Sequence, residues 1–561
     1  MTRMLRSRPC PLVRFTNMKR LLLIPLLFSL LTAREWVKFS GNVELSGEQS
    51  FVSGDTLPVP YGETHLSLNP TLTFFGVVPI GLELLIGTQE NNLRQAFDKY
   101  RIYLHPRELV RQMLNAPGWA LAIHGIELGY CSPTYSWLTL TGTPLLGGAV
   151  ELNPGPLYLA ASAGRSQRAV EGSDTTAAAY QRMLYAGRFG FGKKDGTHFF
   201  LTGLKARDDP NSIQRNYVVR DTGILQDTLE TVAPKENYLL GVEFNLSLFK
   251  GAFNLTSEID GSELTRDLRG APLSFGSPVP AWVESLVHPR YTSAYDFAYV
   301  VKPSFNILDT RLYGGIKMIG PGYQTLGASS LRNDAFGYNA GIERSFANRS
   351  ITVSATYSRE HDNLIGAKAD TTTFTAYAAN IGLNFPRLPY LHVNYSPTMQ
   401  RAGDANNRTS IVSVSTGYDF QTGELSHSPG LGLNVQTYRT TDSGGNYTSF
   451  SLDPSYSLGF PTPLSLSFGA GYNQTVRSDS TDQSVYLTAT PSYTLFSSWT
   501  HSLTLGGTFE SRDNRFDIRY NSSFPVWKIA TGNVSAQDVI YSATDRHFSE
   551  VRLSASVSRS W

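Results

Sequence analysis

Apolar and polar residues alternate one for one in many segments of this 561-residue chain, from about residue 240 to the C-terminus. Clear examples are the segments 242–248, 351–358, 464–473 and 502–510, and the runs are about ten residues long. Successive side chains of a β-strand point to opposite faces, so a period of two predicts strands with one apolar and one polar face. This part of the chain is therefore predicted to be all-β.

Strand length and composition distinguish a soluble β-sandwich from a membrane-spanning barrel. Sandwich strands usually have about 5–6 residues, whereas a tilted strand needs about 9–11 residues to cross a bilayer. The polar faces of these runs carry Ser, Thr, Gly and Asn rather than Lys and Glu. Charged residues make up only 17% of the chain, against about 25% in typical soluble domains. Both features favour strands with lipid on one side and the interior of a closed barrel on the other.

The connections between these strands alternate between short and long. Residues 194–196, 250–251 and 308–309 are short connections, whereas about 208–237 and 262–292 are long ones. Transmembrane barrels have tight turns at one end and longer loops at the other, and the alternation keeps its phase to the last strand. The sequence therefore predicts an all-β fold: a transmembrane antiparallel β-barrel, closed as an up-and-down meander, with about 24 strands in a range of roughly 22–26.

The first 33 residues differ from the rest of the chain. A basic start precedes an apolar run from Leu21 to Leu31 and a small residue. This order is typical of a secretory signal peptide, and the apolar run is too short to span a bilayer as a helix. We therefore assign residues 1–33 to a leader, with a predicted translation start at Met18, and residues 34–561 to a single barrel domain.

Residues 106–116 (PRELVRQMLNA) interrupt the strand pattern, because their apolar positions share one face of a helix. The segment is either a short helix inside the lumen or a helical turn in a connecting loop. We favour the loop, because one short helix is too little to plug a wide barrel.

The last strand carries apolar residues at alternate positions and ends in an aromatic residue. Its apolar face consists of Val551, Leu553, Ala555 and Val557, and Trp561 is the terminal residue. This strand resembles the C-terminal targeting strand of Gram-negative outer-membrane β-barrels, although Arg559 occupies a position that is usually apolar. The resemblance implies that Val557 and Trp561 are an assembly signal. It also implies an outer-membrane location, with the lipid bilayer and the outer-membrane assembly machinery as partners.

Two internal segments extend this resemblance. Gly125 to Gly155 and Tyr180 to Ser212 are similar to parts of large, uncharacterised, porin-like outer-membrane barrels. Those proteins have no assigned activity, so the resemblance implies location and architecture but no substrate.

Two motifs that would indicate an enzyme do not fit the predicted strands. The glycine-rich segment 187–194 lacks the Ser or Thr that a phosphate-binding loop needs after its Lys, and a strand follows it instead of a helix. Ser247 and Lys250 have the spacing of an acyl-transfer pair, but in a strand they point to opposite faces. We therefore predict neither enzymatic activity nor a cofactor. The formal net charge of +2, with no basic stripe, also argues against nucleic-acid binding.

Several polar residues are candidates for function. Alternation places four of them on the lumen face, where they would set the charge preference of a pore: Glu243, Asn245, Glu510 and Arg552. A second group opens the first long loop and offers oxygen ligands for Ca²⁺: Asp208, Asp209 and Asn211. For this group a simple turn is the favoured interpretation, because Asn and Pro are common turn residues.

Three functions are compatible with this architecture. The favoured hypothesis is a channel or transport pore for solutes or polymers, selecting by the width and lining of its lumen. The alternative is a structural or interaction barrel, such as an adhesin or a component of a secretion or surface-attachment assembly, with a partner at the loops. An outer-membrane hydrolase is the least favoured.

Overall fold

A computed structural model describes most of the chain. The described residues are 37–54, 62–88, 98–111, 117–172, 177–214, 217–220, 228–274, 287–328, 330–441, 443–510, 513–527, 529–543 and 547–561. The leader predicted for residues 1–33, and its start at Met18, lie outside these ranges and stay predictions.

Within these ranges, twenty-nine strand segments make up nearly all of the regular structure. They are β1 (Val37–Gly54), β2 (Gly62–Phe74), β3 (Val78–Gly87), β4 (Lys99–Leu104), β5 (Ile123–Cys131), β6 (Leu145–Leu152), β7 (Leu157–Gln167), β8 (Arg182–Gly192), β9 (His198–Asp208), β10 (Tyr217–Arg220), β11 (Thr228–Thr231), β12 (Glu236–Leu248), β13 (Phe253–Thr265), β14 (Ser293–Ile307), β15 (Thr310–Ile319), β16 (Ala335–Phe346), β17 (Ile351–His361), β18 (Thr372–Leu383), β19 (Tyr390–Ala402), β20 (Ala405–Gly417), β21 (Phe420–Thr422), β22 (Leu425–Arg439), β23 (Tyr447–Gly459), β24 (Leu464–Arg477), β25 (Thr481–Leu495), β26 (Trp499–Glu510), β27 (Asp513–Val526), β28 (Ala530–Ala543) and β29 (His547–Ser560).

The sheet closes on itself as an antiparallel meander. Each barrel strand pairs with the next one along the chain, and the last strand, β29, pairs with β1 from Asn42↔Ser560 to Gly54↔Phe548. The short β21 continues β20 along β22, while β10 and β11 form a separate hairpin, so the barrel has 26 strands. The predicted fold class is confirmed, and the strand number lies at the upper end of the predicted range.

The two faces of the barrel wall differ in polarity, as the alternation predicts. On β29, Leu553 and Val557 point outward and are exposed, whereas Arg552 and Ser554 point into the lumen. Exposed large apolar side chains recur in the same way on the outward faces of most strands. A large outward apolar surface suits contact with the hydrocarbon of a bilayer, and closure leaves no unpaired sheet edge.

The connections divide into a tight-turn end and a long-loop end. The tight-turn end holds short connections such as 75–77, 193–197 and 308–309. The first residue of β1 and the last residue of β29 also lie at this end. The long-loop end holds the connections 209–235 and 266–292, and its later connections are shorter.

Two short helices lie in the connection between β4 and β5, at the tight-turn end. They are α1 (Pro106–Val110) and α2 (Gly118–Ala122). The segment 106–116 therefore contains a helical turn in a connecting loop, and residues 112–116 lie outside the described part of the chain. Among the described residues, no helix is long and apolar enough to cross a membrane.

Candidate functional site

One connection at the long-loop end folds into the lumen. This inserted segment, residues 132–144, links β5 to β6 and reaches lumen-facing residues in the middle of other strands. The Tyr135 hydroxyl donates to Ser162 Oγ on β7 at 3.2 Å, and the backbone N–H of Leu138 donates to Glu258 Oε1 on β13 at 3.3 Å. Arg188 of β8 donates to the carbonyl of Tyr135. The segment therefore extends about half-way down the barrel.

A second connection covers the inserted segment. Residues 320–334 join β15 to β16, and Tyr323 donates from its hydroxyl to the Leu138 carbonyl at 2.9 Å. Thr325 Oγ1 donates to the Thr139 carbonyl at 2.8 Å, and the N–H of Thr141 donates to the Gly327 carbonyl at 3.0 Å. These bonds satisfy backbone groups that would otherwise be buried without partners.

The inserted segment is packed on a hydrophobic core inside the barrel. Leu138 and Leu140 of the segment are fully buried against Tyr158 of β7 and Phe200 of β9, and Tyr323 closes the cluster. Burying a large apolar side chain contributes about 1.5–3 kcal/mol. This core explains why β7 and β9 carry apolar residues on their lumen faces, where a water-filled lumen would favour polar ones.

Charged side chains on the barrel wall lie beneath the segment. Glu243 of β12 forms an ion pair with Arg188 at 2.6 Å and a 2.7 Å hydrogen bond with His198. Thr139 Oγ1 of the segment donates to Asp260 Oδ2 of β13 at 2.7 Å. Buried charges need partners of this kind, so the segment is fixed by specific bonds as well as by burial.

The four predicted pore-facing residues all lie on lumen-facing positions, in different surroundings. Glu243 pairs with Arg188, which also donates to the Tyr135 carbonyl of the inserted segment, and Asn245 donates to the Gly196 carbonyl at 2.7 Å near the tight-turn end. Glu510 lies opposite Ser484 at the long-loop end of β26, and Arg552 bonds to Glu550 at 2.7 Å. Their effect on charge preference stays a prediction.

The predicted Ca²⁺ ligands have other partners. Both carboxylate oxygens of Asp208 accept from Arg182, at 2.7 and 3.1 Å, and Asp209 accepts from the N–H of Asn211 in a turn. Across the described residues there is no group of three His, Cys, Asp or Glu side chains placed to hold a metal ion. The turn interpretation of this group stays a prediction.

The opposite side of the lumen has a different lining. From β17 to β25, asparagine and serine side chains that face the lumen lie in register across neighbouring strands, in a row that begins near the tight-turn end of β17 and ends near the long-loop end of β25. We call this row the Asn/Ser belt; it consists of Ser354, Asn380, Asn394, Ser413, Asn434, Ser451, Asn473 and Ser484. Asn380 donates to Ser354 at 3.1 Å and Asn434 to Ser413 at 2.8 Å, and Glu510 follows the last member on the next strand.

A cavity of about 680 Å³ lies between the tip of the inserted segment and this side of the wall. Trp137 borders it, with the ammonium groups of Lys302 and Lys317 at 5.3 and 5.8 Å from its ring centre. Lys317 is paired with Glu360 at 2.5 Å. Periodicity could not identify Trp137, but an aromatic and apolar stretch inside a connection is a signal for a loop that folds inward.

Comparisons with solved structures give matches of low sequence identity. No protein-family model matches the chain, and no curated protein matches it. The P pilus usher (PapC) translocation pore is 12% identical over 93% of this chain and 99% of its own, with a TM-score of 0.28. OpdK of Pseudomonas aeruginosa, solved with vanillate, is 12% identical over 59% of this chain and 93% of its own, with a TM-score of 0.29. A BenF-like porin of Pseudomonas fluorescens Pf-5 is 12% identical over 68% and 98%, also with a TM-score of 0.29.

Proposed function

We propose that this chain is an outer-membrane channel whose solute path runs between the inserted segment and the Asn/Ser belt. The carrying observation is the asymmetry of the lumen: a packed segment occupies one side, and small uncharged polar residues line the other. A closed barrel with an outward apolar surface supports a membrane location. The sequence of the C-terminal strand supports the outer membrane as that location.

The size of the barrel explains why a channel of this kind needs an inserted segment. Barrels of 16–18 strands already enclose an aqueous channel, and the diameter grows roughly linearly with strand number. An unfilled lumen of 26 strands would discriminate poorly between solutes. A segment that fills one side of the lumen narrows the solute path and leaves the space along the opposite side of the barrel wall open.

The lining favours uncharged solutes that form hydrogen bonds. Amides and hydroxyls of the Asn/Ser belt both donate and accept, and the belt carries no formal charge. Near the tip of the segment, Glu360 pairs with Lys317, and two further charged residues beside the path, Lys302 and Asp453, have opposite signs. We therefore expect weak selectivity between cations and anions, and a preference set by width and hydrogen bonding. The proposed function requires no catalysis.

Conductance in planar bilayers tests the channel. Purified, folded protein should give stepwise currents, and Trp137→Ala should raise the single-channel conductance because it removes the largest side chain at the tip of the segment. Trp527→Ala is the matched control, because Trp527 is exposed in a turn at the tight-turn end. Persistent silence of folded protein would contradict a channel.

Ion selectivity tests the neutral path. Asn434→Asp adds one negative charge to the Asn/Ser belt and should shift the reversal potential in a salt gradient toward cation preference. Asn254→Asp adds the same charge near the tight-turn end, where Asn254 Nδ2 donates to the Gly251 carbonyl at 2.9 Å. Equal shifts for the two variants would contradict a path that follows the belt.

An interaction barrel is the second candidate, and the sealing of the inserted segment by residues 320–334 favours it. If both segments stay closed, the lumen conducts poorly and the loops become the working surface. A stoichiometric partner that co-purifies with a non-conducting barrel would support this alternative.

A further inference from the structure

Four arginines are clustered on the outward face of β17 to β22, close to the long-loop end. Arg359, Arg408 and Arg439 belong to one cross-strand row, which passes through Thr375 and Met399 between the first two. The fourth, Arg401, follows Met399 by two residues and therefore points to the same face. All four are exposed. We call them the arginine cluster.

Tyrosines on the same outward face indicate where the arginine cluster lies relative to the bilayer. Tyr357 and Tyr377 lie opposite each other on β17 and β18, with ring centres 5.0 Å apart, and Tyr338 contacts Tyr357 at 5.9 Å. Outward aromatic residues form girdles at the two membrane interfaces of transmembrane barrels. Arg359 follows Tyr357 by two residues, about 7 Å nearer the long-loop end. The arginine cluster therefore lies at the level of lipid headgroups.

The arginines repel one another where they stand. Arg408 and Arg439 lie directly opposite each other on neighbouring strands, which are about 4.8 Å apart. Like charges in this position destabilise a sheet. Arg439 donates to the carbonyls of Tyr438 and Tyr447, both at 3.2 Å, and to Thr448. Within the described part of the chain, no carboxylate forms an ion pair with any of the four.

Outward-facing charges elsewhere on the same rim have protein partners. On β9, Lys205 and Arg207 each lie 3.7 Å from Glu236 of β12. On β14, the Tyr295 hydroxyl donates to Glu263 at 2.9 Å. The contrast indicates that the counter-charge for the arginine cluster comes from the surroundings of the protein.

We propose that the arginine cluster binds the phosphate groups of a phosphorylated glycolipid in the outer leaflet, of the lipopolysaccharide class. Guanidinium groups bind phosphate through paired, charge-assisted hydrogen bonds, and two opposed arginines can share one phosphate. This inference rests on the proposed outer-membrane location with the long-loop end outward. It does not depend on conduction through the lumen.

The test compares lipid binding by two variants. The first is Arg408→Ala/Arg439→Ala, which removes the opposed pair. The control is Arg344→Ala, which removes an outward-facing arginine of β16 near the tight-turn end, where Arg344 packs on Phe346. Migration before and after boiling verifies that each protein is folded. Binding is measured by titrating detergent-solubilised protein with lipopolysaccharide, with its dephosphorylated form and with inorganic phosphate.

We expect roughly tenfold weaker binding of lipopolysaccharide for the double variant and unchanged binding for the control. The dephosphorylated lipid should bind both proteins equally weakly. Equal binding of intact lipid by the double variant and the control would overturn the proposal. Binding of inorganic phosphate as tight as that of the lipid would overturn the lipid as the ligand. Conductance of the double variant is recorded in parallel, so a failed channel and a failed lipid site are distinguishable.

Discussion

Trp561, the last residue of the chain, stacks on Phe39 of the first strand, with ring centres 5.1 Å apart and ring planes 20° from parallel. Two backbone hydrogen bonds join Trp561 to Gly41, at 3.1 and 3.2 Å. The terminal aromatic residue therefore contributes directly to the seam where β29 meets β1. The residues of the predicted assembly signal thus lie where the barrel closes, with Val557 facing outward on the same seam.

Replacing Trp561 by Ala should weaken this closure. The variant loses an aromatic pair worth about 0.5–1.5 kcal/mol, in addition to the burial of the indole ring. We expect less folded barrel in the membrane fraction and a lower temperature at which the folded form disappears on gels. Trp527→Ala, which removes an indole far more exposed than that of Trp561, is the control. Equal losses for both variants would argue against a special role for the seam.

The alternation of the sequence predicted the fold well, because a period of two determines which face each side chain occupies. It placed Leu553 and Val557 outward and Arg552 inward, as the structure has them. It also placed Glu243 on the lumen face, but it could not show that Arg188 links this residue to the inserted segment. Periodicity describes one strand at a time, whereas the contacts across a lumen depend on which loops fold inward.

The inserted segment was not predicted from the sequence, although its composition differs from that of an exposed loop. Tyr135, Trp137, Leu138 and Leu140 lie within one connection, where an exposed loop would carry few large apolar residues. The strand that contains Phe199, Phe200 and Leu201 is apolar on both faces, which indicates burial on the lumen side as well. Neither feature identifies the residues against which it packs, so the contact between the inserted segment and β9 could be found only from the structure.

Thr139→Val should loosen the inserted segment. The substitution keeps the shape of the side chain but removes the hydroxyl that donates to Asp260 Oδ2 at 2.7 Å. Leaving a buried acceptor without its donor costs about 1–3 kcal/mol. We expect more frequent transitions to larger conductance in planar bilayers. Thr398→Val, on the open side of the cavity, is the control and should leave the frequency of such transitions unchanged.

Gly327→Ala should displace the inserted segment by direct contact. A Cβ at this position would lie 2.6 Å from the Thr139 carbonyl oxygen and 2.7 Å from Leu204 Cδ1, so one of the two segments must move. We expect faster proteolysis within residues 132–144 of the folded barrel. Gly261→Ala is matched to it, because a Cβ there meets nothing within 4 Å. Identical cleavage of the two variants would contradict the close packing.

Low pH should break the ion pairs of Lys368 with Asp334 and Asp362, which join two connections at the long-loop end and which we call the clasp. Lys368 bridges Asp334 at 2.6 Å and Asp362 at 3.0 Å, and so ties residues 362–371 to residues 320–334. Burial alone raises the pKa of each carboxyl group. The hydrogen bonds from Lys368 and from backbone N–H groups outweigh it, so both pKa values lie below the ordinary value of 3.8. The pKa of Lys368 is raised by hydrogen bonds to the same carboxylates.

The folded-state pKa values of Asp334 and Asp362 are lowered. Their carboxylate interactions therefore stabilise the folded loops at pH values above the ordinary pKa, and this stabilisation is lost as the pH falls through the lowered pKa values. The clasp should therefore hold at neutral pH and open below about pH 4. Proteolysis of residues 362–371 by an acid-active protease should rise over that interval. In Lys368→Met the same cleavage should begin at a higher pH than in the parent, whereas Lys250→Met, in a turn at the tight-turn end, should behave as the parent. A pH profile of Lys368→Met that matches the parent would show that the lysine does not hold the two connections together.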